Sequence, residues 1–134
     1  LIFVRFRDTA KHVSRILVGA QFVVGGSNDT GPIWPSSCRI LVATYGTLSE
    51  GVNLNFTSDK RPVGHCVLYD PHWSHIITEQ AINRVHRIDN VRGLPVNIWR
   101  LYCADTVEQD IITTLEHKAG ETGMLKFFQE RSKR

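Results

Sequence analysis

This 134-residue sequence predicts a doubly wound α/β fold, a parallel sheet with helices against it. Three observations carry that expectation. Five short, β-rich apolar runs are spread along the chain. Several are apolar on consecutive residues, the habit of parallel strands buried on both faces. Stretches of helical periodicity separate some of them.

In chain order, the first strand is expected in LIFVRF (Leu1–Phe6). Asp8 can then cap a helix over TAKHVSRILVG, with Val13, Ile16 and Leu17 as its apolar stripe and Gly19 as its stop. AQFVV (Ala20–Val24) and RILVAT (Arg39–Thr44) are the second and third strands. Between Gly26 and Cys38 lies SNDTGPIWPSS, whose prolines and glycine predict loop and not helix, although a parallel crossover usually contains a helix. In that loop Trp34 is expected to pack. HCVLYD (His65–Asp70) is the fourth strand, and Ser74 can cap a helix over HIITEQAINRVHRI. VNIWRLY (Val96–Tyr102) is the fifth, followed by TVEQDIITTLEHK, with Asp105 and Glu108 as a capping-box-like start. Residues 119–134 are expected to form a C-terminal helix and a basic tail that ends in ERSKR.

The length suits a single domain with one core, and 42% hydrophobic with 22% charged residues is ordinary for a globular domain. Because it starts at Leu1, the chain is expected to be a fragment of a larger protein. No apolar run approaches the roughly 18 residues that read as a membrane-spanning helix, and no signal peptide is visible. Cys38, Cys66 and Cys103 lie far apart and are odd in number, so free thiols in a reducing, intracellular compartment are expected. A net charge of +3 permits nucleic-acid binding without requiring it. His72 and His75 form H-x-x-H beside Trp73, but no Cys or acidic residue stands at metal spacing, so no zinc is expected. Trp73 itself reads as a packed anchor at a strand end.

Chemistry is expected where strands end, because ligands of open parallel sheets bind at the carboxyl ends of their strands. Three polar segments leave such ends: Arg5-Phe6-Arg7-Asp8, then YGTLSEGVNLN, then DPHWS leading into the fourth strand's helix. On that helix Gln80, Arg84 and Arg87 fall within an arc of about 60°, next to the stripe of Ile77, Ala81, Val85 and Ile88. Planar donors gathered on one edge suit a polyanion, and phosphate suits the guanidinium fork best. Glycines bracketing Thr47, Ser49 and Glu50 let backbone N–H groups approach a phosphate closely.

The order of these pieces is more specific than any one of them. ILVATYGTLSEGVNLN, VLYDPHWSHIITEQAINRVHRIDN and VNIWRLYCADTVEQDII together resemble the C-terminal RecA-like lobe of Swi/Snf-type ATPases, within superfamily-two helicases. Motif five matches at Glu50-Gly51-Val52-Asn53-Leu54, and a D-P-x-W-(N/S) strand end at Asp70, Pro71, Trp73 and Ser74. Motif six, Q-A-x-x-R-x-x-R-I, matches at Gln80, Ala81, Arg84, Arg87 and Ile88. The likeness is close over residues 39–118 and extends more loosely over residues 1–26.

The resemblance implies a RecA-like parallel sheet flanked by helices, the P-loop NTPase-like second lobe, filling residues 1–134 as one helicase C-terminal domain. It implies that Arg87 is an arginine finger on the γ-phosphate of ATP and Arg84 its neighbour in the cleft. Gln80, Glu50, Gly51 and Asn53 would support the ATP site, and Arg5, Thr44, Tyr45, Gly46 and Thr47 would contact nucleic acid. ATP and Mg²⁺ would be held mainly by an N-terminal lobe, since no G-x-x-x-x-G-K-(S/T) occurs here.

Three departures accompany the match: the helix between the second and third strands is missing, FTSDKRPVGHC is a longer link than usual, and Asp89-Asn90 replaces Gly-Gln after motif six.

The expected function is therefore the C-terminal half of an ATP-dependent double-stranded DNA translocase, acting on chromatin or another DNA-bound complex, nuclear in a eukaryote and otherwise cytoplasmic. Alone the fragment is expected to be inactive. The alternative is a non-catalytic lobe kept as a DNA- or protein-binding module.

Overall fold

The computed structural model describes residues 1–24, 34, 37–47, 54, 57, 59–86 and 95–117. Five parallel strands form one sheet: β1 (Ile2–Val4), β2 (Ala20–Val23), β3 (Ile40–Thr44), β4 (His65–Leu68) and β5 (Asn97–Arg100), in the order β2-β3-β1-β4-β5. Helices α1 (Arg7–Ile16) and α2 (His75–Val85) follow β1 and β4, and α3 includes residues 107–117. All five expected strands are present, each trimmed at one end or both.

Alternation along the central strands builds two cores. On one face Val4 and Val42 are buried with Ala10 and Val13 of α1. On the other Phe3, Leu41, Ala43, Cys66 and Leu68 are buried with Ala81 and Val85 of α2. Both faces of β1 and β3 are thus apolar, which is why their sequences run apolar without a break. The same pattern misleads at the edges: Phe22 of β2 is 41% exposed and Trp99 of β5 is 54% exposed. Among the described residues each edge strand pairs on one side only, with β3 and β4 respectively.

Two helix starts differ from expectation. Helix α1 begins at Arg7 behind Phe6, with no side-chain cap, and Asp8 lies inside its first turn, 3.9 Å from Lys11. A carboxylate there still complements the helix dipole. Ile16 is 63% exposed. Ala10, Val13 and Leu17 share an arc of about 60°, and Ile16 lies about 60° beyond Val13, off the stripe. Helix α3 is capped by Thr106, whose Oγ1 accepts from the Glu108 N–H at 3.3 Å, instead of by Asp105. Asp105 is one residue outside, at φ 58°, and its N–H donates to Gln109 Oε1 at 2.8 Å. The expected Asp105–Glu108 capping box is not formed: Thr106 caps the Glu108 N–H, and Gln109 reaches back to the residue before the cap.

Helix α2 ends at Val85 with His86 as its extended C-cap, short of the expected Ile88, so Arg87 is not on it. It starts as expected, with Ser74 Oγ accepting from the Ile77 N–H at 3.4 Å. Ser74→Ala is expected to cost about 0.5–1 kcal/mol, the lower part of the usual capping range, because the bond is long. Chemical denaturation measures it, and an unchanged midpoint would remove the cap from the account. Trp34 is buried, its indole N–H donating to Cys38 O at 2.8 Å, so the loop tryptophan packs. Cys38, Cys66 and Cys103 are all free, and burial pushes the Cys66 thiol up to about 11. Among the described residues no helix is long and apolar enough to cross a membrane.

Candidate functional site

In an all-parallel sheet every carboxyl end lies on one rim. Helix α1 leaves β1 over one face and α2 leaves β4 over the other. The chain therefore diverges between β1 and β4, where open α/β sheets place their ligand crevice.

The three expected segments meet there. The Arg5 N–H donates to Asp70 Oδ1 at 2.7 Å, joining the end of β1 to the end of β4. The Tyr45 hydroxyl donates to Asp70 O at 2.9 Å and brings in the end of β3. The Tyr45 ring stacks on Phe3, with centroids 5.5 Å apart, and stands 5.3 Å from the His72 ring. His72 Nδ1 accepts from the Ser74 N–H at 3.0 Å, so the same set of contacts reaches the cap of α2. Contacts between positions so distant in sequence are what turn three separate motifs into one surface.

Burial sets the electrostatics of this rim. It pushes the Tyr45 hydroxyl well above its ordinary range. It also raises the Asp70 carboxyl, against the pull of the Arg5 N–H bond and charge. His72 is lowered by burial and by the nearby Arg5 charge, which suits a neutral ring accepting at Nδ1.

Of the residues expected to contact nucleic acid, Thr44 and Tyr45 have internal partners. Thr44 Oγ1 bonds to Thr47 Oγ1, and Tyr45 is 5% exposed with its hydroxyl already engaged. Gly46 is exposed, and a Cβ added there would meet nothing within 4 Å. Arg5 is half-buried, its guanidinium carbon 4.8 Å from the Phe6 ring centroid and 5.7 Å from that of Trp73. Trp73, expected to be packed, is 57% exposed. It flanks an arginine instead of filling the core, a contact that sequence alone could not reveal because Arg5 and Trp73 are far apart in the chain.

Arg84 is the penultimate residue of α2, about 15 Å along the axis from Ser74 at 1.5 Å per residue. It stands away from the Asp70 knot, beside the far end of the loop after β3: its carbonyl accepts from the Leu54 N–H at 3.0 Å. The guanidinium is partly buried, with Nη1 sealed from solvent and, among the described residues, without a hydrogen-bond partner. Burial lowers its pKa. Gln80 lies exposed one turn earlier on the helix. Arg87, Glu50, Gly51 and Asn53 lie outside the described residues.

No protein-family model matches the chain. It is similar to a DNA repair protein rad5 from Emericella nidulans, 34% identical over 96 residues that make up 72% of this chain and 7% of the relative. It matches the ATP-dependent DNA helicase DDM1 of Arabidopsis thaliana at 33% over 104 residues, 73% of this chain and 12% of that protein. An uncharacterized ATP-dependent helicase of Bacillus subtilis, YqhH, is 34% identical over 127 residues, 88% of this chain and 21% of its own length. The chain thus spans a small part of each of these relatives. In fold it matches the crystal structure of the C-terminal part of the Fun30 ATPase domain with a TM-score of 0.65, at 20% identity over 84% of this chain and 37% of that one. The chain is homologous to the Swi/Snf helicase-like ATPases and has the RecA-like fold of their C-terminal lobe.

Proposed function

We propose that this chain is the C-terminal half of an ATP-driven translocase on double-stranded DNA. The observation that carries the reading is the Arg84 guanidinium, near the end of the helix that carries Gln80, with a buried Nη1 that has no hydrogen-bond partner among the described residues. A buried donor without a partner is costly, so such groups commonly await a ligand. ATP held on an N-terminal lobe would bring phosphate oxygens to the part of this guanidinium that remains exposed. ATP, with its Mg²⁺, supplies the phosphoryl group. The role of this chain is to supply planar positive charge where charge develops, with Arg87 as the finger on the γ-phosphate and Arg84 beside it. Gln80, Glu50, Gly51 and Asn53 would hold the edge of that cleft.

The strand-end rim would meet the DNA backbone. Arg5 and Gly46 supply charge and open backbone, while Thr44, Tyr45 and Thr47, bonded within the lobe, hold the loop in place from within. The substrate is DNA in chromatin or another complex, and in a eukaryotic cell the site of action is the nucleus.

Binding of double-stranded DNA by this chain alone is expected to be weak, indifferent to sequence and strongly salt-dependent, because phosphate contacts dominate it. Titrations at low and moderate salt measure this; tight binding that survives added salt would count against it. ATP hydrolysis tests the whole reading. This chain alone should show none, and joining it to a phosphate-gripping lobe should produce DNA-stimulated turnover. If the joined protein binds DNA but hydrolyses nothing, the lobe is a binding module.

A further inference from the structure

A cleft of about 190 Å³ lies on the α2 face of the sheet, between α2 and α3 and away from Arg84. Leu68 and Tyr45 are at its floor, and Ile112 and Leu115 of α3 line its wall. The polar groups at the bottom are already satisfied: the Tyr45 hydroxyl donates to Asp70 O and the Thr78 hydroxyl donates to Ser74 O. Whatever enters must therefore be apolar at its tip. A drug-sized ligand needs about 300–1,000 Å³, so this cleft suits one large side chain.

The mouth has a different character. Glu79 on α2 and Glu116 on α3 line it, and among the described residues neither carboxylate is in an ion pair. Arg100 stands on the same mouth, available to a carbonyl oxygen of an incoming backbone. Two carboxylates from separate helices above an apolar floor favour an anchor with positive charge beside it.

We propose that this cleft is a docking pocket for a protein segment that presents one large aromatic side chain next to a lysine or arginine. The aromatic ring occupies the space over Leu68, and the basic group sits between Glu79 and Glu116. Buried aromatic anchors of this kind dominate protein interfaces, while the charged surround sets orientation and partner choice. Arg84 of α2 does not line the pocket, so the proposal stands whether or not the lobe takes part in ATP hydrolysis.

The test uses the full 134-residue chain, isotopically labelled, and three blocked tripeptides: lysine–phenylalanine–lysine, lysine–alanine–lysine and glutamate–phenylalanine–glutamate. Amide and methyl shifts of Leu68, Ile112 and Leu115 report occupancy. The first peptide should bind saturably and at least about tenfold more tightly than the alanine peptide, since burial of an aromatic ring is worth that much. It should outbind the glutamate peptide by about two- to fivefold, the scale of solvent-accessible ion pairs. The double variant Glu79→Gln with Glu116→Gln, which leaves the fold's apolar contacts unchanged, should abolish the charge preference and keep the aromatic one. Leu115→Trp, which fills the cleft, should abolish both. Equal binding of the alanine and phenylalanine peptides, or shifts centred elsewhere, would overturn the proposal. A charge preference unchanged in the glutamine variant would overturn the assignment of the mouth.

Discussion

Joined to the lobe that grips ATP, the Arg87→Ala protein is expected to lose most of its turnover. A finger arginine is worth about 10³–10⁵ in rate in related phosphoryl-transfer chemistry. ATP binding should survive better than turnover, because the finger acts mainly on the transition state. Lysine at this position should rescue little, since a point charge does not reproduce the planar fork. Arg92→Ala controls for simple loss of charge and should be mild. Arg84 adds a second, structural signature. Its Nη1 is buried with no acceptor among the described residues. Arg84→Met keeps an apolar stem and removes that donor, and it should stabilise the isolated lobe by up to about 1 kcal/mol while impairing the joined enzyme. Steady-state ATPase assays and denaturant melts together read the two effects. Near wild-type hydrolysis by the Arg87→Ala enzyme would sink the finger assignment. A destabilised Arg84→Met lobe would mean that the guanidinium holds the fold together.

Phe3→Ala is expected to be the most damaging single core substitution, costing about 3–5 kcal/mol. Phe3 is fully buried at the centre of the sheet and stacks under Tyr45. Its loss opens a cavity between the sheet and α2, and removes the platform from the ring whose hydroxyl reaches Asp70. Against a total of about 5–15 kcal/mol for a typical domain, that leaves the lobe marginal or unfolded. Phe3→Leu retains most of the volume and should cost less than about 2 kcal/mol. Urea melts of both variants check this, and a loss below about 1 kcal/mol for alanine would show that the site can collapse around the deletion.

The five strands, α2 with its Ser74 cap, and the free cysteines are legible in the sequence because each depends on local pattern: consecutive β-rich apolar residues, a capping hydroxyl, wide cysteine spacing. The motif order that marks the Swi/Snf relationship is legible for the same reason, being written in linear order. Tertiary structure alone decided which faces are covered. Phe22 and Trp99 stand in apolar, β-rich runs, yet on the outer strands of the sheet they are exposed. Ile16 reads as part of a stripe, but the stripe that matters is the arc that meets Val4 and Val42. The chain likewise names Arg5, Tyr45 and Asp70 without saying that one N–H and one hydroxyl will tie them together. Those bonds join residues brought close by the parallel topology, and sequence periodicity reports only what recurs within one element. The Nη1 of Arg84 is the clearest case: motif spacing marks the residue, and only the packing of α2 buries the atom with no hydrogen-bond partner among the described residues.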